Sequence, residues 1–370
     1  MEAQARLVGS PRELAQPAPA PPSKQGVTSR QDSKAGEIGK VERIAWQGRC
    51  LRDRRALAAV IACAALMWGG RYAKGVEVKN LVVEARNPQP KTLPTLSVWW
   101  DESFGADHRL LMLGAEFPDV PGLVCDSWCY ESDLDFLGAT SSSGGRIELR
   151  HRWRQHPNVV LMTMVTPERG AVAFEARVEV DKDAGGELPP QLPAPNMCWQ
   201  LRRAEGFRSA PAPYPDFVKR CFIFTEKGRT FLDQTTRRKI PCRPPDDAYN
   251  NPPWVQMYVG VWQQVPEAGA TSWADYSPDR YTTPVIGAVS RDGKYLAALA
   301  NDSAGMMCQA WHDCMHNNAE WLPAEAAPGE RRWRVKVYGM KNDAGALLAR
   351  VNRDFPNAAR RAHQTAGVTD

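Results

Sequence analysis

Short apolar runs, several alternating strictly with polar residues, recur between residues 76 and 338, and turn signals separate them. In Arg146–Trp153, Ile147, Leu149 and His151 fall on one side and Glu148, Arg150 and Arg152 on the other. A period of two is the spacing of a strand with one face buried and one face wet. Comparable runs lie at 76–85, 96–100, 110–113, 123–125, 159–165, 171–180, 197–201, 217–224, 230–232, 254–262 and 333–338. Asn-Pro, Pro-Gly, Ser-Gly-Gly, His-Pro-Asn and Glu-Arg-Gly punctuate the first half, residues that close turns for known steric reasons. About twelve to fourteen short strands without intervening helices predict an all-β chain, a large antiparallel β-sandwich. We place it as a single domain over residues 76–356, with two smaller sandwiches divided near residue 188 as the alternative.

The strongest local signal lies in residues 284–316. Val285–Val289 and Tyr295–Ala300 flank Ser290-Arg291-Asp292-Gly293-Lys294, and an Asp-Gly pair between apolar runs predicts a hairpin. Near the end of the chain, Asn342-Asp343 can cap a short C-terminal helix. Leu347, Leu348, Val351 and Phe355 recur there at helical spacing, and Pro356 stops the run.

The net charge of +5 is local: residues 1–55 hold 11 Lys/Arg against 6 Asp/Glu, and the rest has 36 of each sign. Interspersed charges of that kind argue against a nucleic-acid surface. Residues 1–54, rich in Pro, Ser, Gln and Lys, have too little apolar surface to order. Arg52-Asp53-Arg54-Arg55 then precedes the apolar run Ala56–Trp68, which has the form of an export signal. Residues 55–72 therefore read as a signal peptide or a membrane anchor, and the protein as secreted or periplasmic, with attachment to a membrane as the alternative. Residues 357–370 read as a tail.

In an oxidising compartment, cysteines close in sequence pair by default. Cys125 with Cys129 and Cys308 with Cys314 have the spacing of local staples, and Cys221 with Cys242 could clamp two strands. Cys198 is left over. No metal is expected on this reading. The alternative is zinc or copper on Cys308, His312, Cys314 and His316, all four competent ligand types.

Aromatic residues are followed by acids at Trp99-Trp100-Asp101-Glu102, Trp128-Cys-Tyr130-Glu131 and Trp273-Ala-Asp275-Tyr276. A sugar site needs flat apolar surfaces next to carboxylates, two of them where a glycosidic bond is cleaved. Asp101, Glu102, Asp302 and His312 are the acid–base candidates. Trp99, Trp100, Trp311 and His316 are the ligand-binding candidates. Catalytic Gly-x-Ser-x-Gly, P-loop and dinucleotide motifs are missing, which lowers the corresponding hydrolase, nucleotide and redox readings. His151 follows the inward alternation and reads first as a core histidine.

At Leu149-Arg-His-Arg-Trp, His156-Pro-Asn-Val-Val, Thr166-Pro-Glu and Ala173-Phe-Glu-Ala-Arg, and again at Ser290-Arg-Asp-Gly-Lys, Cys314-Met-His316 and Ala327-Pro-Gly-Glu, the chain resembles a known group. These are exported bacterial β-sandwich proteins of the galactose-mutarotase-like, supersandwich-like kind. The resemblance covers residues 80–356 and implies a carbohydrate ligand held on a concave sheet face. No His/Glu catalytic pair of that family aligns here. Two functions follow as expectations. One is an exported carbohydrate-active enzyme, a polysaccharide lyase, glycoside hydrolase or epimerase. The other is a non-catalytic module binding glycan or another envelope component.

Overall fold

The computed structural model describes residues 80–85, 91–101, 110–125, 134–181, 190–192, 194, 197–201, 204–208, 215–239, 256–268, 275–309, 313–320, 322–323 and 331–356. All of them belong to one unit, Val78–Asp370. The expected N-terminal segments 1–54 and 55–72 and the tail 357–370 lie outside the described residues.

The strands, in order, are β1 (Leu81–Ala85), β2 (Thr95–Asp101), β3 (Leu110–Glu116), β4 (Val124–Cys125), β5 (Leu134–Ser141), β6 (Ile147–Trp153), β7 (His156–Glu168) and β8 (Ala171–Val180). They continue with β9 (Gln191–Leu192), β10 (Cys198–Gln200), β11 (Cys221–Thr225), β12 (Gly228–Phe231), β13 (Gln256–Tyr258) and β14 (Asp275–Tyr276). The last are β15 (Thr283–Val289), β16 (Tyr295–Asn301), β17 (Ala304–Gln309), β18 (Cys314–Ala319), β19 (Leu322–Pro323) and β20 (Arg332–Lys341). Among the described residues two α-helices accompany them, α1 (Pro215–Val218) and α2 (Ala344–Asp354).

Nine strands form the largest sheet, in the order β12-β11-β15-β16-β20-β8-β7-β6-β5. A five-stranded sheet runs β10-β18-β17-β13-β14, a four-stranded sheet β1-β2-β3-β4, and β19 pairs with β9. Pairing is antiparallel except between β13 and β14. The layers meet in one core. It takes Leu96, Val98 and Leu113 from the four-stranded sheet, and Trp199, Met307 and Met315 from the five-stranded one. Against these pack Ile147, Leu149, Val335 and Val337 of the nine-stranded sheet. The expected all-β sandwich with a short C-terminal helix is the fold observed.

A polar clip joins the layers inside this core. The Asn317 amide nitrogen on β18 donates to Pro284 O at 3.2 Å and Leu299 O at 3.0 Å, on β15 and β16. Asn317 has no exposed surface. Both acceptors belong to strands of the nine-stranded sheet, so the buried amide ties β18 to that sheet.

The described residues cover only part of the other face of the nine-stranded sheet. Leu347 and Val351 of α2, with Phe355 at its C-terminal cap, pack against Phe222, Val285, Leu296, Ala298 and Tyr338. Gly287 there admits Phe222: a Cβ on Gly287 would stand 2.4 Å from that ring. The helix has 11 residues, about 16 Å at 1.5 Å per residue, too little to reach the outer faces of β7, β6 and β5.

Local expectations hold in detail at two places. The 290–294 turn is fastened by Ser290 Oγ, which bonds Asp292 Oδ1 at 2.7 Å and accepts from Tyr295 N at 3.0 Å. Gly293 takes a φ of 74°, which any side chain would strain. Asp343 caps α2, accepting from Ala346 N at 2.9 Å.

Two expectations are corrected. His156-Pro-Asn is no turn: β7 starts at His156, and the reversal falls on Arg154-Gln155. Pro157 lacks an N–H donor, which a strand tolerates near its start. The run from Phe217 is not all strand, because Pro215–Val218 is helical and β11 begins at Cys221. Between them Arg220 lies against the Phe217 ring at 5.5 Å and donates to Val289 O at 2.8 Å.

Candidate functional site

Among the described residues, the outer face of the large sheet forms a cleft of about 760 Å³ where it meets the end of α2. Its floor is built by alternation. β7 presents Leu161, Thr163 and Val165 inward and leaves Met162, Met164 and Thr166 half-buried on the outer face. Flanking rows are charged: the ladder aligns Glu148, Met164, Glu175 and Arg334 across β6, β7, β8 and β20. The next row out places Arg150, Met162 and Arg177 side by side. The result is an apolar stripe with charged borders, closed at one end by Arg353, Asp354 and Phe355.

That closed end is rigid. Lys336 Nζ lies 2.8 Å from Glu168 and 3.2 Å from Asp354, so β20, β7 and the last turn of α2 share one ammonium. Arg334 covers the Phe355 ring at 5.6 Å. The open end carries Arg177, paired with Glu175, and Glu179.

The acid–base candidates are not gathered here. Asp302 follows β16 and is held by Arg334, whose Nε and backbone N both donate to it at 3.0 Å. Its carboxylate is committed to that ion pair beside the cleft. Asp101 is buried at the end of β2 in the four-stranded sheet, opposite Leu110. Glu102 and His312 lie outside the described residues.

Trp99 and Trp100 do not make one platform, since neighbouring strand residues face opposite ways. Trp100 packs edge-on against Phe136 at 5.4 Å and joins the core. Trp99 lies over Gly114, where a Cβ would come within 2.7 Å of its ring. Trp311 lies outside the described residues. His151 is buried as expected, 5.4 Å from Phe136, and burial pushes its pKa down to about 4.

The sulfur chemistry differs from the expectation. Cys308 and Cys314 carry thiols, so the expected staple between them is not formed, and Cys198 and Cys221 are thiols also. Strand register explains it: Cys308 stands opposite His316, not Cys314. Cys221 is sealed in the core, where burial raises its pKa, and burial raises that of Cys308 too. Cys125 lies in β4; Cys129 and Cys242, the other halves of two expected bridges, are outside the described residues.

What the ladder brings together instead is Cys198, Cys314 and His316, whose donor atoms all lie within 4.8 Å of one another. Cys314 Sγ is 3.3 Å from His316 Nε2. Cys198 was the cysteine that sequence spacing left without a role. Only the pairing of β10 with β18, which sets Cys198 against His316, gives it one. The cleft floor had a sequence signal: Val159–Val165 is apolar on both faces between two runs whose outer faces are charged.

No family model matches the chain, and no curated protein matches it in sequence. Among solved structures it is similar to the α-N-acetylgalactosaminidase NagBb of Bifidobacterium bifidum in its GalNAc complex. The TM-score is 0.40 and the identity 12%, over 74% of this chain and 39% of that one. The ligand-free enzyme gives a TM-score of 0.35 at 13% identity, over 71% and 37%. The Slr1438 protein of Synechocystis sp. PCC 6803 gives 0.33 at 10% identity, over 73% of this chain and 99% of that one. The chain thus spans about two fifths of the length of the bifidobacterial enzyme. Among the described residues no helix is long and apolar enough to cross a membrane.

Proposed function

We propose that the protein is a non-catalytic glycan-binding β-sandwich, holding an extended sugar chain along β7 in the cleft beside α2. The observation that supports this is the order of side chains across the outer sheet face, with Met162 and Met164 between charged rows. Sugar rings offer apolar C–H faces and hydroxyl edges. A stripe of flexible thioethers bordered by guanidinium and carboxylate groups matches both at once. β7 lines the cleft from Met162 to Glu168, about 20 Å at 3.3 Å per residue, room for a short sugar chain.

Binding without turnover is preferred because the acid candidates that the structure describes are not offered to the cleft: Asp101 is buried at the end of β2 and Asp302 is paired with Arg334. A general acid or base needs a carboxyl available to the substrate. In this reading the protein acts outside the cytoplasm, with residues 55–72 serving for export or anchoring, and its partner is an envelope or environmental glycan.

The test is incubation with a panel of neutral and charged polysaccharides, measuring both retention and the release of new chain ends. Retention without new ends is the expected result. Release of reducing or unsaturated ends would overturn the non-catalytic assignment.

A further inference from the structure

A second set of side chains, away from the cleft, has the composition of a metal site. On the five-stranded sheet, Trp199, Met307 and Met315 point into the core. Alternation therefore puts Cys198, Cys314, His316 and Cys308 on the opposite face. Pairing orders them: Cys198 faces His316, His316 faces Cys308, and Gln200 faces Cys314. Cys198 and Cys314 are 4% and 0% exposed, while His316 is half-buried.

Two sulfurs and one imidazole nitrogen converge within 4.8 Å. Tetrahedral zinc with Zn–S bonds of about 2.3 Å and Zn–N bonds of about 2.0 Å sets its donors roughly 3.5–3.8 Å apart. The 3.3 Å between Cys314 Sγ and His316 Nε2 already approximates one edge of that tetrahedron.

Gln200 adds an independent observation. Its Nε2 donates toward Cys198 Sγ at 3.9 Å, the kind of outer contact that steadies a ligating sulfur. Its Oε1 is buried and has no hydrogen-bond partner. A buried acceptor left alone is costly, and it belongs to the same amide that contacts Cys198.

We propose that Cys198, Cys314 and His316 bind one zinc ion, with a water in the fourth position donating to Gln200 Oε1. Binding replaces the two thiol protons with Zn–S bonds, and those protons leave to solvent. Cys308, next in the row, clusters with Met257, Tyr276 and Met306 and is no ligand. The site is an open one, since three protein ligands plus water is the arrangement that leaves room for an incoming group.

The experiment uses the full chain purified without a histidine tag and loaded with zinc or with cobalt(II). Expected are one zinc per chain and the intense visible bands of tetrahedral thiolate cobalt. Removing an outer contact costs 10–100-fold in metal affinity, so Cys198→Ala and His316→Ala should each lose more than about 100-fold. Cys308→Ala should retain the ion. Circular dichroism of each variant without metal verifies folding. For a variant that fails to fold, Gln200→Leu serves instead, with a loss of about 10–100-fold expected. Less than one ion per three chains, octahedral cobalt spectra, or loss in Cys308→Ala with retention in Cys198→Ala would overturn the assignment.

Discussion

Cys198 and His316 are direct cross-strand partners on β10 and β18. A ladder holds such neighbours at about 4.5–5.5 Å between Cβ atoms whatever their side chains. The cluster is therefore a property of sheet register, and sulfur spacing along the chain is a poor guide to it. Cys308 and Cys314, six residues apart, invite a bridge on paper; the register turns Cys308 to His316.

Alkylation under denaturing, non-reducing conditions should consequently label Cys198, Cys221, Cys308 and Cys314 as thiols. Peptide mass spectrometry checks it. A Cys308–Cys314 crosslinked peptide would contradict the register described.

How much of this was readable without coordinates varies with range. The 290–294 turn and the Asp343 cap are local devices, each resting on side chain to backbone bonds within five residues, and the sequence announces both. The Phe217–Phe224 run concealed a change from helix to strand because apolar residues suit either. Its clue was Pro215 at the first helical position. The outward alternation of Glu148 and Arg150 was plain. That Met162 and Met164 would lie between them and Glu175 and Arg177 depends on which strands pair. Asp101 and Asp302 looked alike as acids, and only the sheets they occupy separate a buried strand end from an ion-paired one.

Asn317 should prove costly to replace by an apolar residue of similar size. Asn317→Leu gains transfer energy but loses both hydrogen bonds that tie β18 to the nine-stranded sheet, at about 0.5–1.5 kcal/mol each. Chemical denaturation should show a net loss on the order of 1 kcal/mol. A variant as stable as the parent would show that the clip contributes nothing.

His151 should make the fold sensitive to mild acid. Its pKa is held near 4 by burial, against 6.5 in the unfolded chain. The unfolded state therefore binds the proton first as pH falls. The stability from keeping His151 neutral is fully present above pH 6.5 and is lost progressively toward pH 4, up to about 3 kcal/mol. Denaturation curves at pH 7.5 and 4.5 should show this loss in the parent and a smaller one in His151→Gln. Equal losses in both proteins would assign the acid sensitivity elsewhere.

On the proposed function, a glycan chain lies along the outer face of β7. Isothermal titration with polysaccharides retained by the parent, repeated on Met164→Asp and Arg177→Glu, tests it most directly. Met164 and Arg177 both reach the cleft from the outer face, so neither change opens the core. Each should weaken binding by about tenfold or more, the equivalent of roughly 1.4 kcal/mol, with the chain still folded by circular dichroism. Undiminished affinity in both variants would contradict the claim, as would the absence of binding to every polysaccharide tested.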